Sequence, residues 1–100
     1  MPTQQEVTRF LTAIGDPARL EIMFVLGKQD RLNVTDLASN FRISRSAVSH
    51  HLKVLRDAEV VCNEKIGQEV FYWLDIPSVV SKLRDLSDAL EAYKKDGKPE

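Results

Sequence analysis

A mainly helical chain with one small β-hairpin, an α+β fold in the order α-α-α-α-β-β-α, is what this sequence predicts. Three observations predict it. Residues 33–56, NVTDLASNFRISRSAVSHHLKVLR, hold two short apolar-faced segments, each behind a capping residue and separated by a tight break. Residues 58–74 change to a composition rich in strand-favouring side chains. Both ends of the chain carry apolar residues at helical spacing. One hundred residues make one domain, so 1–100 is read as a single unit.

In chain order, Val7, Phe10, Leu11 and Ile14 fall at i, i+3, i+4 and i+7, giving an amphipathic helix over about 4–14 with Gly15 as its stop. Asp16 then caps a second helix with Pro17 at its first position, where the missing N–H costs nothing. Leu20, Ile22, Met23, Phe24, Val25 and Leu26 make that helix apolar on most sides, so it is expected at the centre of the core, ending at Gly27. KQDRLN is read as a polar connection.

Asn33 is placed to cap a short helix with Leu37, Ala38 and Phe41 on its apolar face, and Ser44 to cap the next, with Val48, Leu52 and Leu55 inward. Two short helices joined by a tight turn form a helix-turn-helix over about 33–56. AEVVCNE and EVFYWL, residues 58–64 and 69–74, then pair as a hairpin with Gly67 in its turn. A hairpin directly after a recognition helix is the wing of a winged helix, here about 59–74. From Val79 the residues Leu83, Leu86, Leu90 and Tyr93 recur at spacings of four and three, a narrow seam over about 77–94 that needs a partner. We expect the two terminal helices to pack together and against their copies across a two-fold axis, through Val7, Phe10, Leu11, Ile14, Val79, Leu83, Leu86 and Leu90. The alternative is that the last helix simply folds onto its own domain. KKDGKPE is a polar tail.

The second helix of the pair carries the chemistry. Ser46, Ser49, His50 and Lys53 share the face away from its apolar residues, with Arg45 at the N-terminal edge. A helix entering the major groove needs small hydroxyl side chains near its start and donors further along for bases or phosphates. Between Leu37 and Arg56 there is no Asp or Glu, whereas Arg42, Arg45, Lys53 and Arg56 are basic. Such residues on an outer helix face are ordinarily solvated surface; the two caps, the tight turn and the apolar inner face tilt the reading to DNA. At the wing, Lys65 fits either a phosphate contact or an ordinary hairpin-tip lysine.

With 43% apolar and 29% charged residues the chain has material for a core. A formal net charge of −1 speaks mildly for a winged-helix protein-interaction module that never touches DNA, the alternative function. No apolar run approaches the ~20 residues that cross a bilayer, and MPTQQEV has no basic-then-apolar leader, so a cytoplasmic location and no membrane partner are expected. No Gly-rich phosphate loop, no nucleophile with a base and no metal triad is evident, which argues against an enzyme. Cys62 stands alone, excluding an intrachain disulfide, and is expected to be inert core on its strand.

The stretches IGDPARLEIMFVL, VTDLA, SRSAVSHHLKVLRDAEVV and the hairpin ending in FYWLD together resemble the ArsR/SmtB family of bacterial winged-helix repressors, from about Val7 to Tyr93. The resemblance implies a homodimer that represses transcription by binding double-stranded DNA at an inverted-repeat operator. In that family the serines and histidine of the second helix reach base edges, a role that falls by match on Ser46, Ser49 and His50. Sensors of arsenic, cadmium or lead in the family carry thiols where this chain has Asn33 and Thr35, and zinc and nickel sensors use histidines on a last helix that here has none. No metal and no cofactor is therefore expected, and the wing, with Glu64, Lys65, Gln68 and Glu69, is near neutral where the family commonly has arginines.

Overall fold

The computed structural model describes residues 3–95. The chain runs α1 (Gln4–Ile14), α2 (Pro17–Lys28), β1 (Leu32–Asn33), α3 (Val34–Ala38), α4 (Arg45–Asp57), β2 (Val61–Ile66), β3 (Glu69–Leu74) and α5 (Ile76–Lys95). Most of the tail KKDGKPE lies outside the described residues.

The helix starts follow local hydrogen-bond chemistry. Asp16 accepts the Arg19 amide at 3.1 Å, Asn33 that of Asp36 at 2.8 Å, and Ser44 that of Ala47 at 3.1 Å. Thr3 on Glu6 and Asp75 on Ser78 do the same for α1 and α5. Each such cap satisfies an amide that the first helical turn leaves without a partner and contributes about 1 kcal/mol.

Four features depart from the expected order and boundaries. The connection KQDRLN contains a strand: β1 pairs with β3, Leu32 opposite Tyr72 and Asn33 opposite Phe71, giving a three-stranded antiparallel sheet in the order β1-β3-β2. Gly27 does not end α2, which runs on to Lys28 and is capped by the Gln29 amide on the Val25 carbonyl. Phe41 lies in the turn beyond α3, because the side chains of Ser39 and Asn40 take the Asp36 carbonyl at 2.7 and 2.9 Å and close the helix early. Ala58 to Val60 are not strand. Glu59 takes a left-handed φ of 61°, and the amides of Glu59 and Val60 return to the carbonyls of Arg56 and Leu55, both at 2.9 Å. That is a Schellman closure with glutamate where glycine is usual, and it turns Val60 into the core, where it has no exposure.

β2 and β3 pair from Val61 opposite Leu74 to Ile66 opposite Glu69, so only Gly67 and Gln68 form the turn, with glycine at φ 65° in the position a two-residue hairpin turn requires. Phe10 from α1, Ile22 from α2, Leu37 from α3 and Val48, Leu52 and Leu55 from α4 meet Val60 in one fully buried cluster. α5 packs on α1 near its start, and Asp75 ties to that region through its amide on the Val60 carbonyl at 2.9 Å. Beyond Val79 most of its apolar side chains are exposed, Leu83 45%, Leu90 61% and Tyr93 60%, with Leu86 half-buried between them. The molecule is accordingly elongated, 55 × 25 × 24 Å. Of the residues expected at a two-fold interface, Phe10 and Val79 are instead buried in their own chain, 1% and 9% exposed, and support the helix pair from inside. Leu11, Leu83 and Leu90 are exposed, and Val7, Ile14 and Leu86 half-buried.

Candidate nucleic-acid interface

α4 divides cleanly. Val48, Leu52 and Leu55 are fully buried, which fixes the roll of the helix and leaves Arg45, Ser46, Ser49, His50 and Lys53 exposed. Ser44 and Ser46 share a hydroxyl contact of 3.1 Å at the helix start. Arg42, in the turn before the helix, is also exposed. Among the described residues, none of Arg42, Arg45 and Lys53 has a carboxylate within ion-pair distance, so their charges are left for an outside partner. An uncompensated cationic surface with hydroxyls at its centre is the chemistry a duplex phosphate backbone and groove edge accept.

The wing sits beside this helix: Arg45 lines one cleft with Asn33, Val34 and Thr35 at the start of α3 and with Gln68, Glu69 and Val70 of the hairpin. Lys65 is on β2, opposite Val70 and one pair in from the turn, and exposed. The wing's acids are engaged elsewhere. Glu64 pairs with Arg31 at 3.0 Å and Glu69 accepts from the Asn33 amide at 2.8 Å. Arg31, whose guanidinium also lies 4.0 Å from the centre of the Trp73 ring, is a residue that sequence reasoning missed, because β1 was not foreseen. Lys65 keeps no acidic partner among the described residues.

His50 and His51 part company as their 100° offset requires, ring centroids 5.9 Å apart. His50 is exposed, whereas His51 is half-buried with its Nδ1 3.2 Å from an Arg19 Nη. Arg19 is a second residue that no sequence signal singled out. Its backbone amide holds the Asp16 carboxylate below the ordinary aspartate range, helped by the positive charge of the Arg19 guanidinium. Cys62 is half-buried and its Sγ donates to Asp75 Oδ2 at 3.5 Å. Burial, then the Asp75 charge, push the thiol above its ordinary pKa, so it stays protonated and is a poor nucleophile. Among the described residues no three His, Cys, Asp or Glu side chains converge as metal ligands would.

An apolar groove lies away from α4. Ile14, Leu20, Phe24, Ile76, Val80 and Leu83 line an open space of about 330 Å³, in which Phe24 is 61% and Ile76 55% exposed. Leu20 and Phe24 extend the exposed apolar surface from the terminal helices onto α2, a contribution the sequence did not single out.

The family model for bacterial regulatory proteins of the arsR family matches residues 16–62. Over 87 residues, 87% of this chain and 65% of the relative, the sequence is 38% identical to a transcriptional repressor SmtB homolog of a Synechocystis species. It is 40% identical over 63 residues to the transcriptional repressor SdpR of Bacillus subtilis, covering 63% of this chain and 69% of that one. The chain thus spans about two thirds of the length of these relatives. Among solved structures, an ArsR-like transcriptional regulator from a Rhodococcus species superposes with a TM-score of 0.83 at 25% identity, over 92% of this chain and 86% of that one. The transcriptional repressor PagR of Bacillus anthracis does so with a TM-score of 0.67 at 29% identity, over 82% and 93%.

Proposed function

This chain belongs to the ArsR family of bacterial regulatory proteins, and from that premise we propose that it is a sequence-specific, DNA-binding transcriptional repressor acting as a homodimer on an operator with dyad symmetry. The observation that carries the reading is the division of α4: a fully buried apolar side and an exposed side that has no acid before Asp57 at its last position, and on which, among the described residues, Arg45 and Lys53 have no carboxylate within ion-pair distance. Ser46, Ser49 and His50 read base edges. Arg42, Arg45 and Lys53 contact phosphate and set the register, and Lys65 reaches a flanking phosphate from the wing. Support for the dimer comes from Leu20, Phe24 and Leu83, which line one exposed apolar groove, and from Leu11 and Leu90, exposed on the terminal helices, since an apolar patch of this kind marks an interaction site. Two-fold pairing places two α4 helices roughly 34–36 Å apart, one turn of duplex.

A regulator of this kind works in the cytoplasm, and no described helix is long and apolar enough to cross a membrane. The names of the relatives, repressors of transcription, weigh against the protein-docking alternative and against an enzyme.

The test is titration of a duplex carrying the chain's own promoter, against random duplex, over a series of salt concentrations. Affinity for both falls steeply with salt. Ser49→Ala with His50→Ala removes the preference for promoter over random DNA, whereas Lys53→Ala weakens both alike. A preference unchanged by the double substitution overturns the assignment of this face.

A further inference from the structure

We propose that Arg19 is a positioning residue: it sets the angle between α1 and α4, and through that angle the half-site spacing that the dimer accepts. The inference rests on the DNA-reading role proposed above and adds to it the part of the molecule that fixes geometry rather than affinity.

Arg19 sits in the first turn of α2 and reaches in two directions. Its Nε donates to the Ala13 carbonyl at 2.7 Å, and one Nη to the Thr12 carbonyl at 3.4 Å, both in the last turn of α1. The Ala13 carbonyl has a specific need for it. The donor four residues on is Pro17, which has no N–H. The other Nη lies 3.2 Å from His51 Nδ1 on α4. A guanidinium can only donate, so His51 Nδ1 is the acceptor there and the ring carries its proton on Nε2. One planar, rigid fork is therefore bonded at once to the end of α1 and to the inner edge of α4, immediately beside the exposed His50.

Apolar packing between these helices is non-directional and tolerates small rotations. A fork held at both ends does not. α1 carries part of the proposed two-fold interface and α4 the reading side chains, so a change in the angle between them becomes, doubled by symmetry, a change in the distance between the two reading helices. A duplex registers that distance in steps of about 3.4 Å. Arg19 thus acts through His51 and touches no DNA itself.

The experiment uses the full chain and a set of duplexes holding two promoter half-sites at the native spacing and at one or two base pairs more or fewer, with a single half-site duplex as reference. His51→Asn puts an amide oxygen near the place of Nδ1 and keeps the acceptor; His51→Leu removes it and leaves the contacts of Arg19 with α1 in place. Arg19→Met removes both. Wild type and His51→Asn prefer the native spacing. His51→Leu and Arg19→Met lose that preference by on the order of tenfold, the worth of a charge-assisted hydrogen bond, with affinity for the single half-site unchanged. If His51→Leu folds and keeps the full spacing preference, or if its half-site affinity falls in step with the rest, the positioning role is wrong while DNA reading stands. If wild type binds none of the duplexes, DNA reading itself fails and takes this inference with it.

Discussion

α4 and α5 are both amphipathic, yet they meet their hydrophobic requirement in opposite ways. In α4 the apolar residues Val48, Leu52 and Leu55 have no exposure at all. Among the described side chains of α5 only Val79 is buried, while Val80 is 41%, Leu83 45% and Leu90 61% exposed. The first helix is complete within its own chain, so its polar side is free for a ligand and its orientation is fixed by the core. The second is unfinished: a leucine fully withdrawn from water is worth about 1.5–3 kcal/mol, and roughly half of that remains unrealised along α5 in a single chain. On the proposed reading, specificity and assembly fall to different helices.

The contrast is most exposed to disproof at Leu52. Leu52→Ala opens a cavity beneath the exposed polar face of α4 and is expected to cost about 2–5 kcal/mol in urea unfolding; a cost under ~1 kcal/mol would mean that α4 is not anchored as described. Leu83→Asp acts on the other helix. It is expected to weaken self-association by on the order of 2 kcal/mol, seen as a shift to monomer in sedimentation equilibrium with the helical spectrum preserved, and a species of unchanged mass would show that α5 needs no partner. Ser44→Ala, which removes the cap of α4, is expected to lower stability by about 1 kcal/mol in thermal melts, whereas Ser49→Ala on the exposed side stays within about 0.5 kcal/mol. The smallest effect lies at the foot of α5. With its thiol pKa raised by burial and by Asp75, Cys62 should alkylate more slowly in the folded protein than in the urea-unfolded chain at about pH 8, and equal rates would remove the Cys62–Asp75 contact from the account.

Much of α4 could be read in advance, because a cap, a 3.6-residue period and an absence of acids before Asp57 are local properties of the chain. Asn33, Ser44 and Asp16 cap as their positions suggest. What escaped is non-local or too short. Two residues of β1 carry no period, and become strand only because β3 is there to pair with them. Val60 and Val61 look like strand together, but the need to bring Val60 inward spends Ala58 and Glu59 on reversing the chain. Gly27 reads as a stop, yet the helix continues through it, with room there for a Cβ 3.6 Å from Leu74. In α2, apolar on nearly every side, no pattern could tell that Ile22 and Leu26 face inward while Phe24 stays out. The contact between Arg19 and His51 joins positions 32 apart, and neither residue type announces it. The residues proposed to read bases, Ser46, Ser49 and His50, do lie on an exposed surface.

Asn33 illustrates how economical the junction of wing and reader is. Its Oδ1 starts α3, its Nδ2 holds Glu69, and its backbone belongs to the sheet. Anyone retrofitting this chain with a metal-responsive thiol at that position would exchange a cornerstone for a switch. A cysteine there supplies no amide for Glu69 and only a feeble acceptor for the Asp36 N–H, so the graft would loosen the hairpin from the helix pair before any ion arrived, and the resulting protein would begin its life half released.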